Sequence, residues 1–116
     1  MPYIRICLSK PFTQEQSSQA AEGLGKNISL LKDKDESKLM LDFSHSEHMF
    51  FRGKPLHDGC YAECRLLGPQ TYESKKDFTE AVFKVFEEAF GVQQSEMFMT
   101  FAHYDDWGTA GSLKRL

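Results

Sequence analysis

Apolar residues recur at every second position in several stretches of the chain and at helical spacing in two others. Ile4, Ile6 and Leu8 alternate with Arg5 and Cys7, a period that predicts a first strand over 3–8. Lys10-Pro11-Phe12 turns the chain, because Pro11 has no N–H for a ladder and biases Lys10 toward an extended shape. A helix is expected from Thr13, whose hydroxyl and the Gln16 amide three residues on have capping-box spacing. Its inward stripe would be Ala20, Ala21, Leu24, Ile28 and Leu31. Gly23 and Gly25 weaken that helix by up to ~1 kcal/mol each relative to alanine, so packing must hold it. The run Lys32 to Glu36 reads as a solvated end and loop.

Leu39, Leu41 and Phe43 then alternate in a second strand over 38–44, and Met49, Phe50 and Phe51 form a short extended segment. Arg52 to Gly59 is a loop with two glycines and a proline, and it divides the chain into two similar halves, 1–52 and 59–116. The second half repeats the plan. Cys60 to Leu67 is a strand ended by Gly68-Pro69, and Ser74 with Asp77 offers an N-cap. Phe78, Ala81, Val82, Val85, Phe86, Ala89 and Phe90 make the clearest amphipathic stripe in the chain. Gly91 stands where a helix C-terminus favours glycine. Met97 to Tyr104 is a fourth strand, and Asp105 to Gly111 is a glycine-rich tail segment. The expected class is α/β (α+β): two tandem βαβ units in one domain over 1–116, forming a mixed four-stranded sheet with two helices on one face. With apolar residues on both faces of several strands and only two helices to cover them, a homo-oligomer is the expected cover for the other face.

Composition narrows the setting without changing this picture. Across 116 residues, 41% are apolar and 27% charged, as in an ordinary soluble domain. A formal net charge of -3 supplies no basic footprint for nucleic acid and no polybasic membrane anchor, and no apolar run is long enough to span a bilayer. Cys7, Cys60 and Cys64 are an odd number without paired spacing, which with the absence of a leader pattern points to a reducing, cytoplasmic setting. His45, His48 and His57 do not complete a metal-ligand set with them, so no metal is expected.

The candidate chemistry lies at the amino terminus. Removal of the initiator Met, normal before a small residue, would leave Pro2 as a terminal secondary amine. An α-amino group titrates near pH ~8 in water. Burial and neighbouring cations disfavour the ammonium form and would make the amine a base at neutral pH.

Met1-Pro2 at the start, two βαβ halves, a lysine shortly before the second strand and a late Tyr104-Asp105 followed by Trp107 resemble the tautomerase superfamily. Within it, the macrophage migration inhibitory factor branch, with its phenylpyruvate tautomerases, is the most similar in length and motif order. The resemblance implies a homotrimer with active sites at subunit boundaries. It also implies a cofactor-free keto–enol tautomerisation of α-keto acids, with Pro2 as general base. It assigns Lys34 to the pocket mouth, the Leu67 backbone to a substrate contact, Phe98 to a site on the neighbouring subunit and Trp107 to the closing carboxy-terminal segment. The chain departs from the mammalian proteins at Phe98, which lacks a phenolic hydroxyl, at Thr100 in place of an amide, and at Arg65 in place of a histidine. Arg65 and Lys38 are extra cations able to hold a carboxylate. The same resemblance leaves open a 5-carboxymethyl-2-hydroxymuconate isomerase-like activity on a dicarboxylate, and a binding or signalling role without catalysis.

Overall fold

The computed structural model describes residues 1–116. Strand β1 (Pro2–Leu8) begins at the proline itself. A strand's first position suits proline because its missing N–H breaks no ladder bond. Helix α1 (Gln14–Asn27) is capped by Thr13, with the reciprocal bonds in place: Gln16 N–H donates to Thr13 Oγ1 at 3.1 Å and Thr13 N–H to Gln16 Oε1 at 2.8 Å. The helix is shorter than its stripe suggests. Ile28 and Leu31 are buried, but from a 3-10 turn over Ile28–Leu30 and the residue after it, and Ala21 is only half-buried.

Strand β2 (Met40–His45) lies parallel to β1, with Ile4 opposite Leu41 and Ile6 opposite Phe43. The short extended segment expected at Met49 to Phe51 holds strand β3 (Phe50–Phe51), and the loop after it contains β4 (Lys54–Pro55), which pairs with β3 in a small hairpin. The turn between them places Arg52 (φ 57°) and Gly53 (φ 75°) in the left-handed region, as a tight two-residue hairpin turn requires. Strand β5 (Cys60–Leu67) runs antiparallel to β1. Helix α2 (Tyr72–Phe90) starts earlier than expected, and its cap is Thr71 rather than Ser74: the Thr71 hydroxyl accepts the Ser74 N–H at 3.1 Å. Gly91 closes it in the left-handed conformation (φ 69°).

Strand β6 (Met97–Tyr104) lies parallel to β5 and completes a sheet of order β2-β1-β5-β6. The tail is a second hairpin rather than an irregular segment, β7 (Asp106–Thr109) with β8 (Ser112–Arg115), turned by Ala110 (φ 50°) and Gly111 (φ 77°).

Both helices pack on one sheet face. The core joins Ile4, Ile6, Leu8, Ala62, Cys64 and Leu66 to Leu24, Phe78, Val82, Phe86 and Phe90, and it buries no polar or charged residue. The two α1 glycines have a packing reason. A Cβ on Gly23 would stand 2.9 Å from both Val85 methyls of α2, and the Glu36 carboxylate lies across Gly25. The opposite sheet face is mixed rather than apolar: Tyr3, Met40, Tyr61, Phe98 and Tyr104 stand among Arg5, Asp42, Glu63, Arg65 and Thr100. No helix is long and apolar enough to cross a membrane.

Candidate active site

The ladder between β1 and β5 sets Pro2 opposite Leu66, and buries it at the end of the sheet where β2, β5 and the tail hairpin converge. Leu67 N–H donates to the Met1 carbonyl at 3.3 Å, so the backbone entering Pro2 is fixed. A cleft of about 750 Å³ opens there. Met1, Pro2 and Tyr3 form its floor, Ser37, Lys38, Leu39 and Met40 one wall, and Arg65, Tyr104, Asp106, Trp107, Gly108 and Thr109 the other.

Lys34 approaches the same point from the loop before β2. Asp33 adopts φ 61°, which turns the chain back on itself, and Lys34 Nζ donates to the Leu67 carbonyl at 2.7 Å. The terminal α-amine, which is that of Met1, is held from its ordinary 8.0 down to about 6. Burial is the main cause; the charge of Lys34 and a hydrogen bond from it come next, then the charge of Lys38, with Asp35 opposing them. Asp35 is itself held below the usual carboxylate range, chiefly by the Ser37 hydroxyl and then by the Ser37 N–H.

Lys34, Lys38 and Arg65 have no carboxylate within 4.0 Å; the ion pairs of the molecule are Lys10–Asp58, Lys26–Glu22, Arg52–Glu96 and Lys76–Glu80. Arg65 lies over the Tyr3 ring at 5.7 Å, and the Tyr3 hydroxyl donates to Asp42 at 3.3 Å. Trp107 meets Tyr104 edge-on, with ring centroids 5.9 Å apart. The site thus combines an amine, unpaired cations and an aromatic wall.

Of the residues expected at the site, Pro2, Lys38, Arg65 and Trp107 line one cleft, and Lys34 and the Leu67 backbone adjoin it at the amine. Phe98 is elsewhere. It pairs with Tyr61, which pairs with Cys7 at the far end of β1, and it packs edge-on against Phe51 at 4.9 Å. Tyr61 and Leu66 stand five positions apart on β5, about 16 Å along the strand. Phe98 therefore does not line the cleft at Pro2.

Tyr3, Ser37, Tyr104 and Asp106 are cleft residues that sequence reasoning did not single out as part of the site. Tyr104 and Asp106 flank the quoted Asp105, and recognising Ala110-Gly111 as a hairpin turn would have brought them forward. Burial pushes the Cys60 and Cys64 thiols up to about 12, which makes them poor nucleophiles in the core. No three His, Cys, Asp or Glu side chains converge in a metal-holding group.

No protein-family model matches the chain, and no curated protein matches its sequence. Solved structures match its fold. MIF2 of Leishmania major aligns with a TM-score of 0.89 over 98% of this chain and 97% of that one, at 16% identity. A macrophage migration inhibitory factor homologue from Prochlorococcus marinus aligns at 0.82 over 96% and 97%, with 24% identity. Pt0534, solved as inactivated by 2-oxo-3-pentynoate, aligns at 0.79 over 94% and 93%, with 18% identity. Two βαβ units, a four-stranded mixed sheet and these full-length alignments give the chain the fold of the tautomerase superfamily in its macrophage migration inhibitory factor-like form.

Proposed function

We propose that the chain is a cofactor-independent keto–enol tautomerase of α-keto acids such as phenylpyruvate, with Pro2 as general base once Met1 is removed. The observation that carries this reading is Pro2 buried at the head of β1, in a cleft where Lys38 and Arg65 have no acidic partner and which Lys34 adjoins through the Leu67 carbonyl. The Met1 amine, one residue ahead, is held down by burial and then by Lys34, the environment a freed Pro2 amine would inherit. Neutral Pro2 nitrogen takes the enol hydroxyl proton, and the resulting prolinium delivers a proton to the carbon at the other end of the enol, so no proton is gained or lost. Lys34 binds the carboxylate and stabilises the charge developing on oxygen. Tyr104 and Trp107 form the apolar wall for the substrate's side chain and keep the amine poorly solvated. The 2-oxo acid skeleton of the compound that inactivates Pt0534 is consistent with this substrate class.

The same reading includes a homotrimer. The open sheet face has no cover within one chain, and in a trimer Phe98, which lies far from its own chain's Pro2, would serve a neighbour's cleft. A second activity, isomerisation of a dicarboxylate, is favoured by one observation: Lys38 and Arg65 are cations beyond Lys34 with no acidic partner.

The test is an intact mass of the native protein paired with a phenylpyruvate enol–keto assay on the same sample, repeated with Pro2→Ala. Loss of Met1 together with turnover that Pro2→Ala reduces about 10²-fold or more supports the base assignment. Retained Met1, or a free Pro2 with no turnover, moves the protein to a binding or signalling role.

A further inference from the structure

The loop that carries Lys34 is a turn, with Lys34 N–H donating to the Leu31 carbonyl at 3.3 Å, and it is fastened to the rest of the fold at both of its ends. Gln70, in the corner between β5 and α2, does the fastening at Lys32. Lys32 N–H donates to Gln70 Oε1 at 2.8 Å, and Gln70 Nε2 donates to the Lys32 carbonyl at 2.8 Å. One primary amide thus satisfies both backbone groups of a residue 38 positions away, as a neighbouring strand would. Lys34 then returns to the same corner and donates to Leu67, three residues before Gln70. Between the two attachments lies Asp33 in the left-handed region, a conformation that few non-glycine residues adopt without a surrounding constraint. The corner is rigid in turn. Gly68 N–H donates to the Tyr104 carbonyl at 2.8 Å, and His103 Nδ1 donates to the Gly68 carbonyl at 2.9 Å.

We infer that Gln70 is a positioning residue for Lys34: its paired hydrogen bonds to Lys32 hold the 32–34 loop so that the Lys34 ammonium stays beside the terminal amine. This rests on the proposed role of Lys34 at the site. An untethered loop would let a flexible lysine exchange its Leu67 contact for solvent, and the amine would lose the cation that lowers it most. Gln70 itself does not line the cleft, so its effect must pass through Lys34.

The experiment is a pH titration of the ¹⁵N resonance of the terminal amine in the full chain, Met1 where it is retained and Pro2 where Met1 is removed, in four proteins of the same terminus: unaltered, Gln70→Met, Lys34→Ala and the double variant. Methionine keeps the side chain's bulk and removes both hydrogen bonds, and Gln70→Ala serves as the second variant. The expected result is a midpoint raised by about 0.5 pH in Gln70→Met, a larger rise in Lys34→Ala, and no further rise when the two are combined. Where phenylpyruvate turns over, kcat/KM falls about fivefold, the scale of one net hydrogen bond, and falls no further when Gln70→Met is added to Lys34→Ala. An unmoved midpoint in both Gln70 variants, or a rise of equal size in the Lys34→Ala background, overturns the assignment. The titration needs no turnover, so failure of the tautomerase reading and failure of this inference are separate outcomes.

Discussion

Lys34 Nζ stands 2.7 Å from the Leu67 carbonyl oxygen and has no acidic partner within salt-bridge reach. Its ammonium donates to that backbone carbonyl, and its charge lowers the terminal amine and opposes the upward shift that burial gives Cys64. On the proposed role, replacing it removes a charge-assisted contact to substrate together with the cation that most lowers the amine. Lys34→Ala is expected to lower kcat/KM for an α-keto acid about 10- to 100-fold, the equivalent of ~1.5–3 kcal/mol for a hydrogen bond to a charged group. Steady-state kinetics check this. Because Lys34 is half-buried at a loop and leaves no buried charge behind, the melting temperature should change little.

The amine has its own signature in the pH dependence of folding. Its midpoint in the folded chain that ends in Met1 is about 6, against 8.0 ordinarily. Between those values the unfolded chain binds more protons than the folded one, so stability rises with pH across the window. The contribution is complete above about pH 8 and is lost as the pH falls through about 6. Thermal melts from pH 5.5 to 8.5 should therefore show a rising component that is reduced in Lys34→Ala. A slope unchanged by Lys34→Ala would remove Lys34 as a cause of the shift.

Lys38 and Arg65 separate the two candidate substrate classes. Lys38 enters the cleft from the turn before β2 and Arg65 from β5, while Lys34 adjoins the amine. If a second carboxylate is bound there, Lys38→Ala and Arg65→Ala lower kcat/KM for a dicarboxylate about 10-fold each while leaving phenylpyruvate within about twofold. Equal losses on both substrates would instead assign these cations to the shared α-keto acid group. Arg65 also lies over Tyr3, so Arg65→Lys is a needed control, since lysine keeps the charge but not the planar contact.

The elements with a local period were legible and the long-range fastenings were not. Alternation in Ile4-Ile6-Leu8 and the Phe78-Val82-Phe86-Phe90 stripe identify a strand and a helix because each burial decision repeats along its own segment. The parallel and antiparallel order of the sheet follows from two βαβ halves. Three features escaped for physical reasons. The Thr71 cap loses to Ser74 in pattern matching because both are followed at capping distance by a polar residue, and only backbone geometry decides. The tail hairpin hides because Ala110 adopts a conformation usually left to glycine or asparagine. Gln70 carries no signal at all, since an amide that pairs with the backbone of Lys32 depends on which loop the fold brings beside it. At the site, Pro2 was readable from its position, whereas Tyr3 and Tyr104 came into view only with the ladder that sets them around it.

Gly23 offers a test of packing against propensity. Isolated-helix energetics favour Gly23→Ala by up to ~1 kcal/mol. In the fold, the added Cβ would stand 2.9 Å from both Cγ atoms of Val85, closer than real Cβ contacts come. Val85 is β-branched on a helix, so its χ1 has one strongly preferred rotamer and the methyls cannot both turn away. Relief must come from moving α1 off α2, and overpacking of that kind costs about 1–3 kcal/mol. The net expectation is destabilisation, by up to ~2 kcal/mol. Val85→Ala removes both methyls, so in that background Gly23→Ala should recover the helix-propensity gain and raise stability. Denaturant unfolding of the four proteins in the cycle measures the coupling directly. A Gly23→Ala that stabilises the chain with Val85 intact would mean that the two helices stand farther apart than 2.9 Å at this crossing allows.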